Sequence, residues 1–390
     1  MASGEKATVG VIFGGRSVEH EISIITGHQV LEALDRSRWE PVPIYLSAEN
    51  LWFVGDGRLS LDFFRQDPLP LDKLYRVDPI PDPGSCSLKL RYRRGGLWGS
   101  REKVLQIILP AVHGTYGEDG SLQGLLEMAN VPYVGSSVAG SALGMDKLLT
   151  KRILSSLRIP ILPWGEVDRW TWERDWEKVI SDWERNWGYP LMVKPAALGS
   201  SIGVSRVESQ ESLKRAVDLC LRWGEWALVE PWLEQAREVN CAVLDGDPPI
   251  ASLVEEPIRE SVLLTFEEKY LRGKKGKSAD SPLSGGMASL ARHIPAELDP
   301  EMTQRIQELA KEAFLGMRLG GVVRVDFLLS VQGELYLNEV NTIPGSFAYY
   351  LWEPMGKSFR ELLDYLLERA REVHRRKNRI SYLLDTRILK

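Results

Sequence analysis

Asp326, Glu339 and Asn341 stand in one stretch, Val322 to Gly345, which runs VVRVDFLLSVQGELYLNEVNTIPG. Apolar runs flank the turn signal Gln332-Gly333, so the stretch predicts a β-hairpin. Asp326 falls in its first strand, and Glu339 and Asn341 fall at the end of its second. Two residues apart on a strand, Glu339 and Asn341 share a face, and Asp326 joins them if the register allows. Three oxygen ligands on one face suit Mg²⁺, which takes a few protein oxygens and fills its other positions with water or phosphate. Arg324 shares the face of Asp326, and a cation beside such a set implies a phosphate or carboxylate. A hairpin with polar, solvent-facing residues is the plainer alternative, and the apolar surroundings argue against it.

Four further stretches carry residue types suited to the same chemistry. A strand ending in Lys194-Pro195 leads into Ala196-Ala197-Leu198-Gly199-Ser200-Ser201-Ile202-Gly203 and then a second strand. A Gly/Ser loop of this kind covers phosphates with its amides and hydroxyls, with Lys194 at its hinge; a mobile hairpin tip is the alternative. Trp226 to Leu233 reads as an edge segment for an adenine, with Glu230 and Glu238 as candidate polar contacts. His113 to Gly120 leaves a strand, carries three glycines and enters a helix, where anions bind. Glu19 follows a strand and Gly14-Gly15. It either holds an ammonium group or is a helix-start carboxylate favoured by the dipole.

The elements that position these groups follow from the apolar patterning. Residues 8–13 open a strand, glycine turn and helix, as in a doubly wound α/β domain. Strands are expected at 41–46, 86–92 and 104–112, with 56–85 an excursion. A helix is expected from Met145 to about Leu157, strands at 238–244 and 250–255, and helices at 300–316 and 357–377. A long polar loop at 259–283 holds Lys269 and Tyr270 and has the length of a lid. The 390 residues, 44% hydrophobic and 26% charged, are ordinary for a globular protein of two to three domains. The net charge of −5 gives no push toward nucleic acid or anionic membrane. Three scattered cysteines form neither a disulfide framework nor a zinc site. With no signal-peptide pattern and no long apolar run, a cytoplasmic protein is expected. Thirteen tryptophans are many for this length, and those from Trp170 to Trp187 are expected to pack.

Taken together these signals describe ATP used with Mg²⁺. The chain resembles the D-alanine–D-alanine ligases of the ATP-grasp superfamily. The matching stretches are FGGRSVEHEIS (13–23), HGTYGEDGSLQG (113–124), MDKLLTK (145–151), VKPAALGSSIGVSRV (193–207), VEPWL (229–233), EEKYL (267–271), VRVDFLL (323–329) and LNEVNTIPGS (337–346). The resemblance implies an α/β fold, α+β in its ATP-grasp part. A doubly wound N-terminal domain over 1–140 is followed by ATP-grasp subdomains over 141–235 and 236–375 and a tail over 376–390. It implies attack of one D-alanine carboxylate on the γ-phosphate of ATP, giving an acyl phosphate that a second D-alanine amine displaces. Glu19, oriented by Ser200, is then expected to hold the first ammonium. Lys147, Lys194, Ser200 and Ser201 should meet the phosphates, Glu230 and Leu233 the adenine, and Glu238 the ribose. Asp326, Glu339 and Asn341 should hold two Mg²⁺ or Mn²⁺ ions. Arg324 and the Gly345 amide should meet the oxyanion. His113, Lys269, Tyr270 and Ser346 should border the substrates. The resemblance also implies a homodimer, with no nucleic-acid or membrane partner.

Two features depart from the family pattern. Tyr350 falls where a serine would grip the acceptor's carboxylate, and Glu234 to Arg237 is one residue longer than usual in the family, which bears on Glu238. Tyr349-Tyr350 therefore leave a second expectation open, ligation of D-alanine to D-serine, D-lactate or another amino acid. A non-catalytic nucleotide-binding protein on the same scaffold is opposed by the complete set Lys194, Arg324, Asp326, Glu339 and Asn341.

Overall fold

The structure is a computed structural model that describes residues 6–55, 57, 59–94, 97–199, 202–258 and 291–381. Ser200, Ser201, Lys269, Tyr270, the loop at 259–283 and residues 382–390 lie outside the described residues.

Strand β1 (Ala7–Gly14) is buried along its whole length, as an apolar run without alternation must be when both faces are covered. Helix α1 (His20–Ala33) connects it to β2 (Trp39–Leu46), its parallel neighbour. Antiparallel strands β3 (Trp52–Val54), β4 (Tyr75–Asp82), β5 (Ser87–Arg94) and β6 (Leu97–Leu105) extend the sheet. The stretch expected as an excursion thus supplies β4, preceded by a short helix α2 (Leu61–Phe64). The run expected as one strand over 104–112 divides at Gln106, and β7 (Ile107–Pro110) pairs in parallel with the other side of β1. The order is β6-β5-β4-β3-β2-β1-β7. Strands adjacent in sequence therefore stand at opposite ends of it, so the sheet curls back on itself. Gln106 closes the curl, its backbone N–H donating to the Thr8 carbonyl and its Oε1 accepting from the Thr8 amide, both at 3.0 Å. The parallel part of the expected doubly wound sheet is confined to β2-β1-β7, and the rest is antiparallel.

After α3 (Ser121–Met128), α4 (Val138–Met145) and α5 (Lys147–Ser156) comes a second sheet. It is formed by β8 (Gly165–Asp168), β9 (Leu191–Pro195), β10 (Ser205–Val207) and β11 (Trp226–Pro231) in the order β10-β9-β11-β8. Helices α6 (Arg169–Trp187) and α7 (Gln210–Trp223) pack on it through Trp172, Ile180, Trp183, Leu213 and Val217. The tryptophans of α6 are mostly packing residues, with Trp172 and Trp183 stacked at 6.4 Å; Trp170 alone of that group is exposed.

The third sheet is antiparallel, with β12 (Arg237–Leu244), β13 (Ile250–Pro257), β14 (Arg292–His293), β15 (Val322–Leu329) and β16 (Leu335–Asn341) ordered β14-β13-β12-β15-β16. Helix α8 (Pro300–Gly316) begins with Asp299 as N-cap and proline in its first turn, both favourable there. Its Ile306, Ala310, Ala313 and Phe314 cover Val239, Cys241, Val243, Val254, Val323, Val325 and Phe327. Alternation then sends Asn240, Glu255, Arg324 and Asp326 to the opposite face. In β16 a bulge opposite the Asp326–Phe327 step places Leu337 against Phe327 and Glu339 against Asp326. The extra residue, Asn338, reverses the phase of the strand, so that Glu339 and Asn341 join Asp326 while Val340 stays with α8. The last helix, α9 (Phe359–Lys377), is tied to the first sheet by Trp39 Nε1 donating to Asp364 at 2.6 Å. Tyr365 Oη donates to the Asp245 carbonyl at 2.7 Å, which ties the same helix to the third sheet. Among the described residues no helix is long and apolar enough to cross a membrane.

Candidate active site

A cleft opens where the three sheets meet. Glu19, His113 and Glu118 line it from the first sheet's loops, and Lys147, Leu198 and Gly199 from the second segment. Arg324, Asn338, Glu339, Asn341 and Gly345 line it from the third. Seven of the residues singled out in the sequence thus border one space: Glu19, His113, Lys147, Arg324, Glu339, Asn341 and Gly345.

Register builds the wall on the third sheet. Asp326 pairs with Glu339 and Arg324 with Asn341. Arg324 Nε and Nη2 donate to Asp326 Oδ1 and Oδ2 at 2.6 and 2.8 Å, a bidentate pair. Asn341 Nδ2 donates to Asp326 Oδ2 at 2.9 Å. Burial opposes the charge on Arg324, but Asp326 outweighs it and holds the guanidinium well above its ordinary range. The donor set fits a hard divalent cation, with two carboxylates and an amide oxygen on one face. Among the described residues no group of three or more His, Cys, Asp or Glu gathers in a metal-holding arrangement, so the amide of Asn341 is needed as a third ligand. Arg324 takes one lone pair of each Asp326 oxygen, and a carboxylate offers about four such sites in all.

Opposite this wall, Glu19 begins α1 and is 8% exposed, its amide donating to Ser17 Oγ at 3.1 Å. Two glycines make room for its carboxylate. A methyl on Gly114 would stand 2.7 Å from Glu19 Oε2, and one on Gly199 2.5 Å from it. Gly114 also has φ +76, a backbone conformation that favours glycine. Lys147 follows the N-cap Asp146, whose carboxylate receives the amides of Leu148 and Leu149. Its Nζ donates to the Leu198 carbonyl at 2.7 Å, which ties α5 to the Gly/Ser loop.

His113 is buried, and Thr26 Oγ1 lies 2.8 Å from its Nε2. Burial pushes the imidazole down to about 4, so the ring is neutral at neutral pH. The Ser346 amide donates to the same Thr26 Oγ1 at 3.4 Å, which places Ser346 behind the cleft wall rather than in it. Glu118 was not singled out in the sequence beyond its place in the glycine-rich loop. It accepts the Gly114 amide at 2.8 Å, the Ile343 amide at 2.7 Å and the Thr342 hydroxyl at 3.2 Å, joining segments 225 residues apart. Burial and the nearby Glu19 carboxylate push its carboxyl up from 4.5 to about 8. The folded protein therefore binds this proton more tightly than the unfolded chain. The stabilising contribution is complete below 4.5 and is lost as pH rises through about 8. The Tm of Glu118→Gln should fall less than that of the wild type between about pH 5 and 8. Parallel profiles would mean that Glu118 is ionised in the fold.

Lys194 stands at the base of the Gly/Ser loop, its Nζ 2.6 Å from Glu230 Oε2 and donating to Asn338 Oδ1 at 2.9 Å. The bulge residue Asn338 thus links Lys194 to β16. Glu230, expected as an adenine contact, is 1% exposed and is gripped between Lys194 and Lys151. Leu233 and Glu238 are partly buried and do not line the cleft. Tyr350 does not line it either; its hydroxyl donates to Glu255 Oε1 at 3.4 Å. Tyr349 stacks on Phe359 at 4.6 Å within the core.

The comparisons with known proteins cover nearly the whole chain. Residues 8–136 match the family model for the D-ala D-ala ligase N-terminus, and residues 153–368 match that for the D-ala D-ala ligase C-terminus. The chain belongs to the D-alanine–D-alanine ligase family. The D-alanine–D-alanine ligase of Thermosipho melanesiensis is 36% identical over 382 residues, covering 98% of each chain. That of Listeria monocytogenes is 34% identical over 383 residues, covering 96% of this chain and 98% of the relative. Among solved structures, the D-alanine–D-alanine ligase of Coxiella burnetii aligns with a TM-score of 0.76 at 29% identity, over 96% of this chain and 97% of that one. VanG D-Ala:D-Ser ligase from Enterococcus faecalis aligns with a TM-score of 0.77 at 29% identity, over 94% of this chain and all of that one. The ATP-grasp expectation for the fold therefore holds, as does the expectation of an ATP-dependent ligase.

Proposed function

We infer that the chain joins two D-alanine molecules at the expense of ATP, forming D-alanyl-D-alanine for peptidoglycan precursors through an acyl phosphate. The observation that carries this is the facing of Glu19 and Arg324 across one cleft whose remaining walls are the Gly/Ser loop and the acidic strand pair. Glu19 takes the ammonium of the first D-alanine and leaves its carboxylate pointing toward the phosphates. Lys147 and Lys194 neutralise the phosphates, with Ser200 and Ser201 assigned to the cover and Lys269 and Tyr270 to the lid that excludes water. Asp326, Glu339 and Asn341 hold the Mg²⁺ or Mn²⁺, two ions by family pattern, which would neutralise charge on the transferring phosphoryl group. Arg324 and the Gly345 amide receive the oxyanion that forms when the second amine attacks. His113, neutral and fixed by Thr26, borders the substrates. Pairing of Glu230 with Lys194 supports a role in holding that lysine in place, with Leu233 and Glu238 left to the adenine and ribose. A division at about 140 and 235, cytoplasmic location and a homodimer belong to the same reading.

A second reading, D-alanine joined to D-serine or another acceptor, is favoured by one observation: Tyr350 is committed to Glu255 rather than to the cleft. Phosphate release from ATP and Mg²⁺ with D-alanine alone, then with D-serine or D-lactate added, separates the two when the products are identified by mass. D-alanyl-D-alanine from D-alanine alone supports the first; a mixed product with little homodipeptide moves the function to the second. Gly199→Ala provides a more local test. A methyl there displaces the Glu19 carboxylate, and a shift on the order of 1 Å should lower kcat/KM for D-alanine roughly 10²-fold. Titration of ATP should be little changed, and an unaltered KM for D-alanine would remove Glu19 from the ammonium site.

A further inference from the structure

A second cavity lies away from the cleft, between α9 and the loops that lead into α4 and β15. It holds about 150 Å³, enough for a molecule of about six heavy atoms, since an apolar cavity of that size takes up benzene. Val134, Leu319, Leu366, Ala370 and Val373 supply an apolar wall. The first four are buried, while Val373 is 44% exposed at the mouth. Glycine makes the room: Gly135 has φ +114, and a methyl there would meet nothing within 4 Å. Its loop touches the other backbone to backbone, since a methyl on Gly321 would stand 2.7 Å from Gly135 Cα.

Charge is divided across this space. On one side Asp245 lines it, with Arg369 Nη2 donating to its Oδ1 at 3.0 Å. Arg369 also pairs with Asp247 and Glu372, and Arg376 pairs with those same two carboxylates. Three carboxylates thus share two guanidiniums. The Asp245 side chain is the most buried of the three, 16% exposed against 61% and 41%. A carboxylate offers about four acceptor sites, so Asp245 has capacity for a further cation. On the other side stands Arg318, exposed and in no ion pair among the described residues. An anionic group, a cation and an apolar wall between them complement a small zwitterion. Its ammonium would meet Asp245, its carboxylate Arg318 and its short side chain the wall. Alanine is of that size.

One helix joins this cavity to the cleft. Ser137, the N-cap of α4, lines the cavity, and Gly144 and Met145 at the other end of α4 line the cleft. Its 8 residues span about 12 Å. Both ends are wedged. A methyl on Gly140 would stand 2.9 Å from the Arg318 carbonyl oxygen, and one on Gly144 2.5 Å from Thr342 Cγ2. Asp146 then caps α5, which opens with Lys147. The Arg318 loop therefore has a packed path to Lys147 and to the end of β16.

We propose that this cavity is a regulatory site for an amino acid of alanine size, held as a zwitterion between Asp245 and Arg318, which acts on the cleft through α4. Binding there is independent of the ligase reading; its effect on turnover rests on it.

The test uses the full-length protein. Equilibrium dialysis with radiolabelled D-alanine, without ATP, counts the molecules bound per chain at saturation. The wild type should bind one more than Val373→Trp, where an indole at the exposed mouth fills the space. Glu19→Gln, which disturbs the cleft alone, should keep that additional molecule. Arg318→Met, at an exposed position, should weaken it about 10-fold, the low end for a hydrogen bond to a charged group. Propionate, which lacks the ammonium, should not displace it from Glu19→Gln. In turnover, the wild-type rate should depend on D-alanine beyond what two substrate sites require, and the curve of Val373→Trp should return to the two-site form. Equal numbers bound by the wild type and Val373→Trp overturn the proposal, as does displacement by propionate as readily as by D-alanine. Rate curves that superimpose, with the additional molecule lost in Val373→Trp, overturn the regulatory role. A protein that binds the additional molecule yet forms no product overturns the ligase reading and leaves the site standing.

Discussion

Replacing Arg324 with alanine is expected to lower kcat by about 10²- to 10³-fold, the range for loss of one oxyanion donor. The Kd for ATP should change little, because a contact made mainly in the transition state accelerates chemistry without adding to ground-state binding. The structure gives this expectation its form. Arg324 is 6% exposed and grips Asp326 through Nε and Nη2. In that state it serves as the counter-ion of Asp326. Arg324→Lys should not restore the rate, since a lysine cannot reproduce the planar two-point fork. Single-turnover rates and a separate ATP titration check the split. Equal losses in both would make Arg324 a ground-state phosphate ligand.

The hairpin that carries Arg324 was legible because its signals are local. Alternating apolar residues flank Gln332-Gly333, and the strands fall at Val322–Leu329 and Leu335–Asn341. The phase of its second strand was not. Strict alternation from Leu337 would put Glu339 on the side of α8, and only the bulge at Asn338 turns it toward Asp326. No glycine or proline marks that position, so the sequence shows the residues of the site without showing why they meet. The same limit explains Glu118 and Lys151. Each looks like an ordinary charged helix or loop residue until a partner distant in the chain, Ile343 in one case and Glu230 in the other, closes around it.

Strands β3 and β4 of the first sheet were not legible, for a different reason. β3 has three residues and β4 carries two prolines, so neither shows the pattern of an ordinary strand. Pairing within the curled sheet supplies the order that propensity does not. Gln106, a polar residue in an apolar run, is the one local sign of the break between β6 and β7, and its side chain is used to close the curl against Thr8. Tyr350 shows the reverse case. The departure at that position was plain in the sequence, but its meaning depends on Arg292 and Glu255, which no spacing connects to it.

The largest effect on stability is expected at Glu230. Its carboxylate lies between the ammonium groups of Lys151 and Lys194, whose side chains are 3% and 13% exposed against 1% for Glu230. Burial pushes the Glu230 carboxyl up, yet the two lysines outweigh burial and hold it below 4.5. Burial also pushes the Lys151 ammonium down, and Glu230 resists that shift. Glu230→Gln leaves two poorly solvated cations facing each other, and breaking a buried pair in this way costs about 3–5 kcal/mol. Lys151→Met removes one cation from a cluster with a surplus of one. It leaves a matched pair, so the change should be close to neutral. The two substitutions, each deleting one charge from one cluster, should therefore differ by several kcal/mol in urea denaturation at neutral pH. The sign of the pH dependence follows from the lowered carboxyl. Its contribution is present above 4.5 and is lost as pH falls through the folded value, so the gap between wild type and Glu230→Gln should narrow in acid. Equal destabilisation by both variants would show that net charge does not govern this cluster. In that case the hold on Lys194 would come from Asn338, and the bulge rather than Glu230 would set where Lys194 points.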